Sequence, residues 1–98
     1  MTPDKLQGLL GLAKRAGLIV CGADTVLRKI RHREAVCVLI DAGASANTVK
    51  KLTDAGAYYQ VKCAVVPEGL LDRACGLSGG KTAGLLKGSL TDEIIRLL

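Results

Sequence analysis

Short apolar runs alternate along this chain with segments of helical period, and most of the changes fall on a Gly or a Pro. Leu6, Leu9, Leu10 and Ala13 recur at i, i+3, i+4 and i+7 and predict a helix over 4–16. Asp4 in its first turn and Lys14 and Arg15 in its last suit the helix dipole, and Gly17 follows as a C-cap. Leu18-Ile19-Val20-Cys21 reads as a buried strand ended by Gly22. A helix over about 23–33 turns Val26, Leu27 and Ile30 inward and Arg28, Lys29 and Arg31 outward. Val36 to Ile40 is wholly apolar, the pattern of a central strand covered on both faces. Ser45 suits an N-cap for a helix over 46–55, with Val49 and Leu52 buried and Gly56 as its stop. Val61 to Val66 reads as a third long strand ended by Pro67, and 68–75 as a short helix. Gly76 to Gly80 reads as a flexible loop, Thr82 to Leu86 as a weaker strand and 90–98 as a last helix. The alternation predicts an α/β fold: a single three-layer α/β/α sandwich with a small mixed sheet of about four strands.

The length of 98 residues suits one domain over 1–98, and a chain of this size buries roughly two-thirds of its unfolded surface. With 49% hydrophobic residues and a mean hydropathy of +0.30, disorder is excluded. No apolar run reaches the ~18 residues of a membrane helix. The start, Met1 to Lys5, carries an acid and no long apolar block, so a cytoplasmic protein without a secretory signal is expected.

Phe and Trp are absent, and the only two tyrosines, Tyr58 and Tyr59, are adjacent. Sheets that read single-stranded RNA by stacking need several separated aromatics, so that class is excluded. Cysteines stand at 21, 37, 63 and 75 with no CxxC pair, and His32, between Arg31 and Arg33, is the one histidine. A zinc site is therefore not expected, and Cys21, Cys37 and Cys63, each in an apolar strand-like stretch, read as buried free thiols acting as small hydrophobes. His32 reads as a solvated residue on an exposed turn.

The net charge of +5 is uneven: residues 1–35 hold seven basic and three acidic side chains, and residues 36–98 hold seven and six. A basic excess gathered in one third of a chain points to nucleic acid, with a solvated helix face as the plainer alternative. Gly76 to Thr82 ends in Gly-Lys-Thr like a phosphate-binding loop. Three residues rather than four separate Gly76 from Gly80, and the segment runs from helix to strand instead of strand to helix, so nucleotide hydrolysis is not expected. Asp41, at the end of the central strand, lacks the early acidic pair that a phosphorylated receiver aspartate needs. No catalytic set remains, and an enzyme is not expected.

The segment Gly22-Ala23-Asp24-Thr25 to Lys29 is more telling, because a strand ends on Gly and a helix starts at once. Its first amides form an anion or phosphate site, or else an ordinary helix start with an Asp24–Arg28 pair at i, i+4. Arg28 and Arg31 follow along the helix, and Lys14 and Arg15 end the helix before it.

LLGLAKRAG at 9–17, Cys21-Gly22, DAGASANTVKK at 41–51, Tyr58-Tyr59 and Ala74-Cys75-Gly76 follow one another in the order and spacing of a known group. The chain resembles the kink-turn RNA-binding ribosomal protein superfamily, of archaeal seven-Ae and eukaryotic thirty-e type, in its bacterial YlxQ-like branch. The resemblance spans nearly the whole chain. It implies an α/β/α sandwich that binds RNA without catalysis or cofactor. In the family a Gly-x-Asn-Glu segment reads the sheared G·A pairs of the kink, and a basic residue three positions on holds phosphate. Here the segment is Gly22, Ala23, Asp24 and Thr25, and the basic residue is Arg28. The family's apolar loop beside looped-out bases falls on Leu77, Ser78, Gly79 and Gly80.

Asp24 replaces the family's Asn, Thr25 its Glu, and Gly79 stands where Val or Ile is common. Asp24 withholds an amide donor and adds negative charge near phosphate, which predicts kink recognition weaker or differently specific than the family's. The expected RNA-binding residues are thus Lys14, Arg15, Gly22, Ala23, Asp24, Thr25, Arg28, Arg31, Leu77, Ser78 and Gly79. The expected partner is a kink-turn RNA, in ribosomal RNA or a structured messenger element, bound by a monomer that is ribosome-associated or regulatory. The alternative is a ribosome-assembly or protein-interaction scaffold that keeps the fold and has lost kink recognition.

Overall fold

The structure, a computed structural model, describes residues 3–76 and 81–98. Helix α1 (Pro3–Arg15) leads into β1 (Ile19–Cys21), α2 (Ala23–Arg31) and β2 (Ala35–Asp41). Helix α3 (Ala46–Tyr59), β3 (Lys62–Val66), α4 (Leu70–Cys75), β4 (Thr82–Leu86) and α5 (Ser89–Arg96) complete the chain. The four strands form one mixed sheet in the order β1-β4-β2-β3. β2 and β3 are parallel, with Leu39 opposite Ala64, and β4 runs antiparallel to both β1 and β2.

Alternation along the strands sorts side chains into two cores. Cys37 and Leu39 of β2 and Ala83 and Leu85 of β4 face Leu6, Leu10 and Ala13 of α1, Leu70 and Leu71 of α4 and Ile94 of α5. Val38 and Ile40 face Val26 and Ile30 of α2 and Leu52 of α3. This is the expected sandwich, with α1, α4 and α5 on one face and α2 and α3 on the other. Each fully buried Leu or Ile contributes about 1.5–3 kcal/mol relative to exposure. Among the described residues no helix is long and apolar enough to cross a membrane.

Two helix ends and the standing of one strand differ most from the expectation. Gly56 does not stop α3, which runs on to Tyr59 and ends at Gln60 in the left-handed conformation, φ 59°. Gly56 is instead a contact point. A Cβ there would stand 2.5 Å from Cys63 Sγ and 2.8 Å from the Val61 carbonyl oxygen. Helix α2 ends at Arg31 rather than 33, because the Arg33 amide donates to the Ile30 carbonyl and the Glu34 amide to the Lys29 carbonyl. That closure puts Arg33 at φ 59°. The weak-looking strand at 82–86 lies inside the sheet, paired on both sides and almost wholly buried. Its Gly84 leaves room for α2: a Cβ would meet Val20 Cγ2 at 3.1 Å and Val26 at 3.5 Å.

Since β1, β2 and β3 point the same way, the starts of α2, α3 and α4 and the start of β4 gather at one end of the sheet. The ends of α2 and α3 gather at the other.

Candidate nucleic-acid interface

The junction of β1 and α2 is built by Gly22, at φ 91° and ψ 135°, a left-sided backbone conformation that favours glycine. Its amide donates to the Thr82 carbonyl at 3.4 Å, and its carbonyl accepts the Val26 amide at 2.9 Å. No side chain caps α2. Among the described residues the amides of Ala23, Asp24 and Thr25 therefore have no hydrogen-bond partner, and the helix dipole favours an anion at this end. Helix α3, by contrast, is closed by Ser45 Oγ, which accepts the Thr48 amide at 3.2 Å.

Charged side chains surround this open end. Lys14 reaches from the end of α1 to within 4.0 Å of Cys21 Sγ, one residue before Gly22. Asp24 is 98% exposed, and its cation is not Arg28 but Lys51 of α3, 3.9 Å from Oδ1. An exposed pair at that distance contributes little to folding, so Lys51 remains available to an external anion. Lys51 lies within the sequence segment that carries the family resemblance, but its place beside Asp24 needs the packing of α3 against α2.

The other expected cations are spread out. Arg15 lines a groove between α1 and α4 together with Arg73, Gly8 and Gly11. Arg28 borders a concavity of about 240 Å³ with Lys29, His32 and Glu34, toward the end of α2. Arg31, the last helical residue, stands roughly 10 Å along the axis from Asp24. Leu77, Ser78 and Gly79 lie outside the described residues. Their flanks are Gly76, which caps α4 at φ 65°, and Lys81. Thr82 is buried as the first residue of a strand, so the Gly-Lys-Thr triplet does not open a helix as a nucleotide-hydrolysing loop requires.

Behind the rim lies Asp41, 1% exposed at the end of β2. Its Oδ1 accepts the Gly43 amide at 2.6 Å and its Oδ2 the Gly69 amide at 2.9 Å, with Lys81 Nζ 3.9 Å away. Burial pushes the carboxyl up, but the two amides and Lys81 outweigh it and hold it below the usual carboxylate range. Both oxygens are committed to joining three loops, which leaves Asp41 no part as a phosphoryl acceptor.

The four cysteines are free. Cys37 is buried as expected and Cys75 is buried too, whereas Cys21 and Cys63, also expected to be buried, are only half-buried because they lie in strands at the two edges of the sheet. Burial pushes the Cys37 thiol up to about 11 and raises those of Cys63 and Cys75, so these three stay protonated at neutral pH. Among the described residues no cluster of three or more His, Cys, Asp or Glu is placed to hold a metal ion. His32 is exposed between exposed arginines, as its sequence neighbours suggested.

Comparison with known proteins agrees with this architecture. The model of the ribosomal protein L7Ae/L30e/S12e/Gadd45 family matches residues 4–88. The RNA-binding protein YlxQ of Bacillus subtilis (strain 168) is 37% identical over 91 residues, covering 92% of this chain and 91% of its own. The RNA-binding protein YlxQ of Enterococcus faecium is 41% identical over 60 residues, 61% of this chain and 58% of its own. A protein of unknown function from Bacillus halodurans C superposes with a TM-score of 0.89 at 29% identity over 95% of both chains. The Giardia lamblia 15.5kD RNA binding protein shares the fold, with a TM-score of 0.81 at 22% identity over 96% of this chain and 81% of its own.

Proposed function

Because the chain belongs to the ribosomal protein L7Ae/L30e/S12e/Gadd45 family, we propose that it is a non-catalytic RNA-binding protein of the cytoplasm that recognises kink-turn-like bent RNA. The observation that carries this reading is the uncapped start of α2 at Gly22, with Lys14 and Lys51 beside it. The amides of Ala23, Asp24 and Thr25 face the RNA at the bend, and Lys14, Lys51 and Arg28 neutralise phosphate. Arg15 and Arg31 take phosphates farther along the two arms. Leu77, Ser78 and Gly79 meet the looped-out bases. The relatives named as RNA-binding proteins support RNA as the ligand, and ribosomal or messenger RNA are the sources this chemistry fits.

Titration with a kink-turn RNA and a straight duplex of equal length tests the reading. The bent RNA is expected to bind about tenfold tighter or more, and Lys14→Ala is expected to lessen the salt slope by roughly 0.7–0.9 on either RNA. Equal affinity for the two RNAs sinks kink recognition and leaves the scaffold reading.

Asp24 supplies a second prediction. Its exposed carboxylate stands where phosphate approaches and draws on Lys51. Asp24→Asn removes the repulsion, frees Lys51 and adds an amide donor. Roughly three- to tenfold tighter kink-turn binding is expected, with duplex binding changed less. Weaker binding of the variant would show that Asp24 positions Lys51 rather than opposing the RNA.

A further inference from the structure

The strongest charge excess does not lie at the open start of α2. Residues 28–34 carry four cations against Glu34 alone, a net +3 of the chain's +5, and they sit at the opposite end of that helix. Lys29 is taken by Glu34 at 2.8 Å. Arg31, His32 and Arg33 remain exposed.

Both aromatic residues of the chain are in the same corner. The left-handed turn at Arg33 carries its guanidinium over the Tyr59 ring, 5.5 Å from the centroid. Tyr59 is partly buried against the second core, and Tyr58 meets it edge to face, with centroids 4.8 Å apart at 75°. Tyr58 itself is 80% exposed. An exposed ring held by a second aromatic, which in turn holds an arginine, is the combination that binds single-stranded nucleic acid: one π-face for a base and a nearby fixed cation for a flanking phosphate. A protein partner would want apolar area here, and the arginines instead demand an anion along a chain.

We infer that the corner formed by Tyr58, Tyr59 and Arg33 is a second RNA contact, which stacks an unpaired base on Tyr58 and holds a flanking phosphate on Arg33. It takes a single-stranded segment leaving the structured RNA. It rests on the reading of the chain as an RNA-binding protein but not on kink recognition.

The chain has two tyrosines and no tryptophan, so its intrinsic emission reports this corner alone. Titration with an oligouridylate of about eight nucleotides is expected to quench tyrosine emission, whereas a kink-turn RNA without single-stranded tails binds with little quenching. Tyr58→Ala is expected to lower oligouridylate affinity about fivefold or more, and Tyr58→Phe, which keeps the π-face, to stay within about twofold of wild type. Arg33→Asn suits the left-handed turn, and it is expected to weaken oligouridylate binding and lessen its salt slope. Circular dichroism checks that each variant folds. Tail-free kink-turn RNA is expected to bind Tyr58→Ala as it binds wild type.

Oligouridylate binding without quenching, or unchanged in Tyr58→Ala, overturns the inference. Quenching by polyglutamate but not by RNA overturns it in favour of an acidic protein. If kink-turn RNA binds no better than duplex while oligouridylate quenches and Tyr58→Ala weakens it, kink recognition fails and the second contact stands.

Discussion

Asp41→Ala is expected to lower folding stability by about 2–4 kcal/mol, because it strands two buried backbone amides and removes the charge that balances Lys81. The carboxylate takes the Gly43 and Gly69 amides and lies 3.9 Å from Lys81. These three partners belong to the β2–α3 loop, the start of α4 and the approach to β4, so one side chain holds together the rim around the open end of α2. Asp41→Asn is a milder version. Its amide oxygen still accepts one N–H, while its NH2 faces the other donor.

The pH dependence follows from the direction of the shift. A carboxyl held below its ordinary value stabilises the fold fully above the unfolded-state value, about 3.9. That contribution is lost as pH falls through the lower folded-state value. Urea unfolding of wild type and Asp41→Asn from about pH 7 down to pH 2 reads both effects. The two stability curves should lie well apart at pH 7 and converge in acid. Curves that stay parallel would remove Asp41 as the acid-sensitive group.

Gly56→Ala is expected to destabilise the protein by about 1–3 kcal/mol, against the usual direction of such a change in a helix. Ala ordinarily exceeds Gly by about 1 kcal/mol inside a helix. Here the added methyl would stand 2.8 Å from the Val61 carbonyl oxygen and 2.5 Å from Cys63 Sγ. The thiol turns aside at small cost. The carbonyl is backbone, fixed where the Val61 amide donates to the Gly56 carbonyl at 2.7 Å. Thermal melting checks this, with a fall of roughly 4–8 °C for each kcal/mol in a domain of this size. A raised Tm would show that helix propensity outweighs the contact. Gly8, where an added methyl would meet nothing within 4 Å, is the natural control, and Gly8→Ala should stabilise.

The legible part of the fold is local periodicity. The apolar stretch at 36–40 can be covered only on both faces, and the spacing of Leu6, Leu10 and Ala13 only suits a helix, so the layers follow. Boundaries are hard to read where glycine has two meanings. Gly56 looks like a stop because glycine frees the backbone, yet its use is to let Cys63 and Val61 approach. The strand at 82–86 looks weak because Ala83 and Gly84 are small, and smallness is what the packing of α2 over Gly84 requires. At the candidate site, the junction at Gly22 to Thr25 is legible, because a strand meets a helix there on one glycine.

By itself the sequence determined the α/β class, the free thiols and the strand-to-helix junction at Gly22, because each depends on residue type and near-neighbour spacing. Only the tertiary structure decided which charges stand together. Asp24 is 27 positions from Lys51 and four from Arg28, yet its neighbour is Lys51, since α2 and α3 pack side by side on one sheet face. Arg33 and Tyr59 meet for the same reason, through two helices that end together. Such pairs depend on strand order and crossing, which no local pattern records: β4, the last strand along the chain, inserts between β1 and β2 and thereby sets where every loop at the site begins.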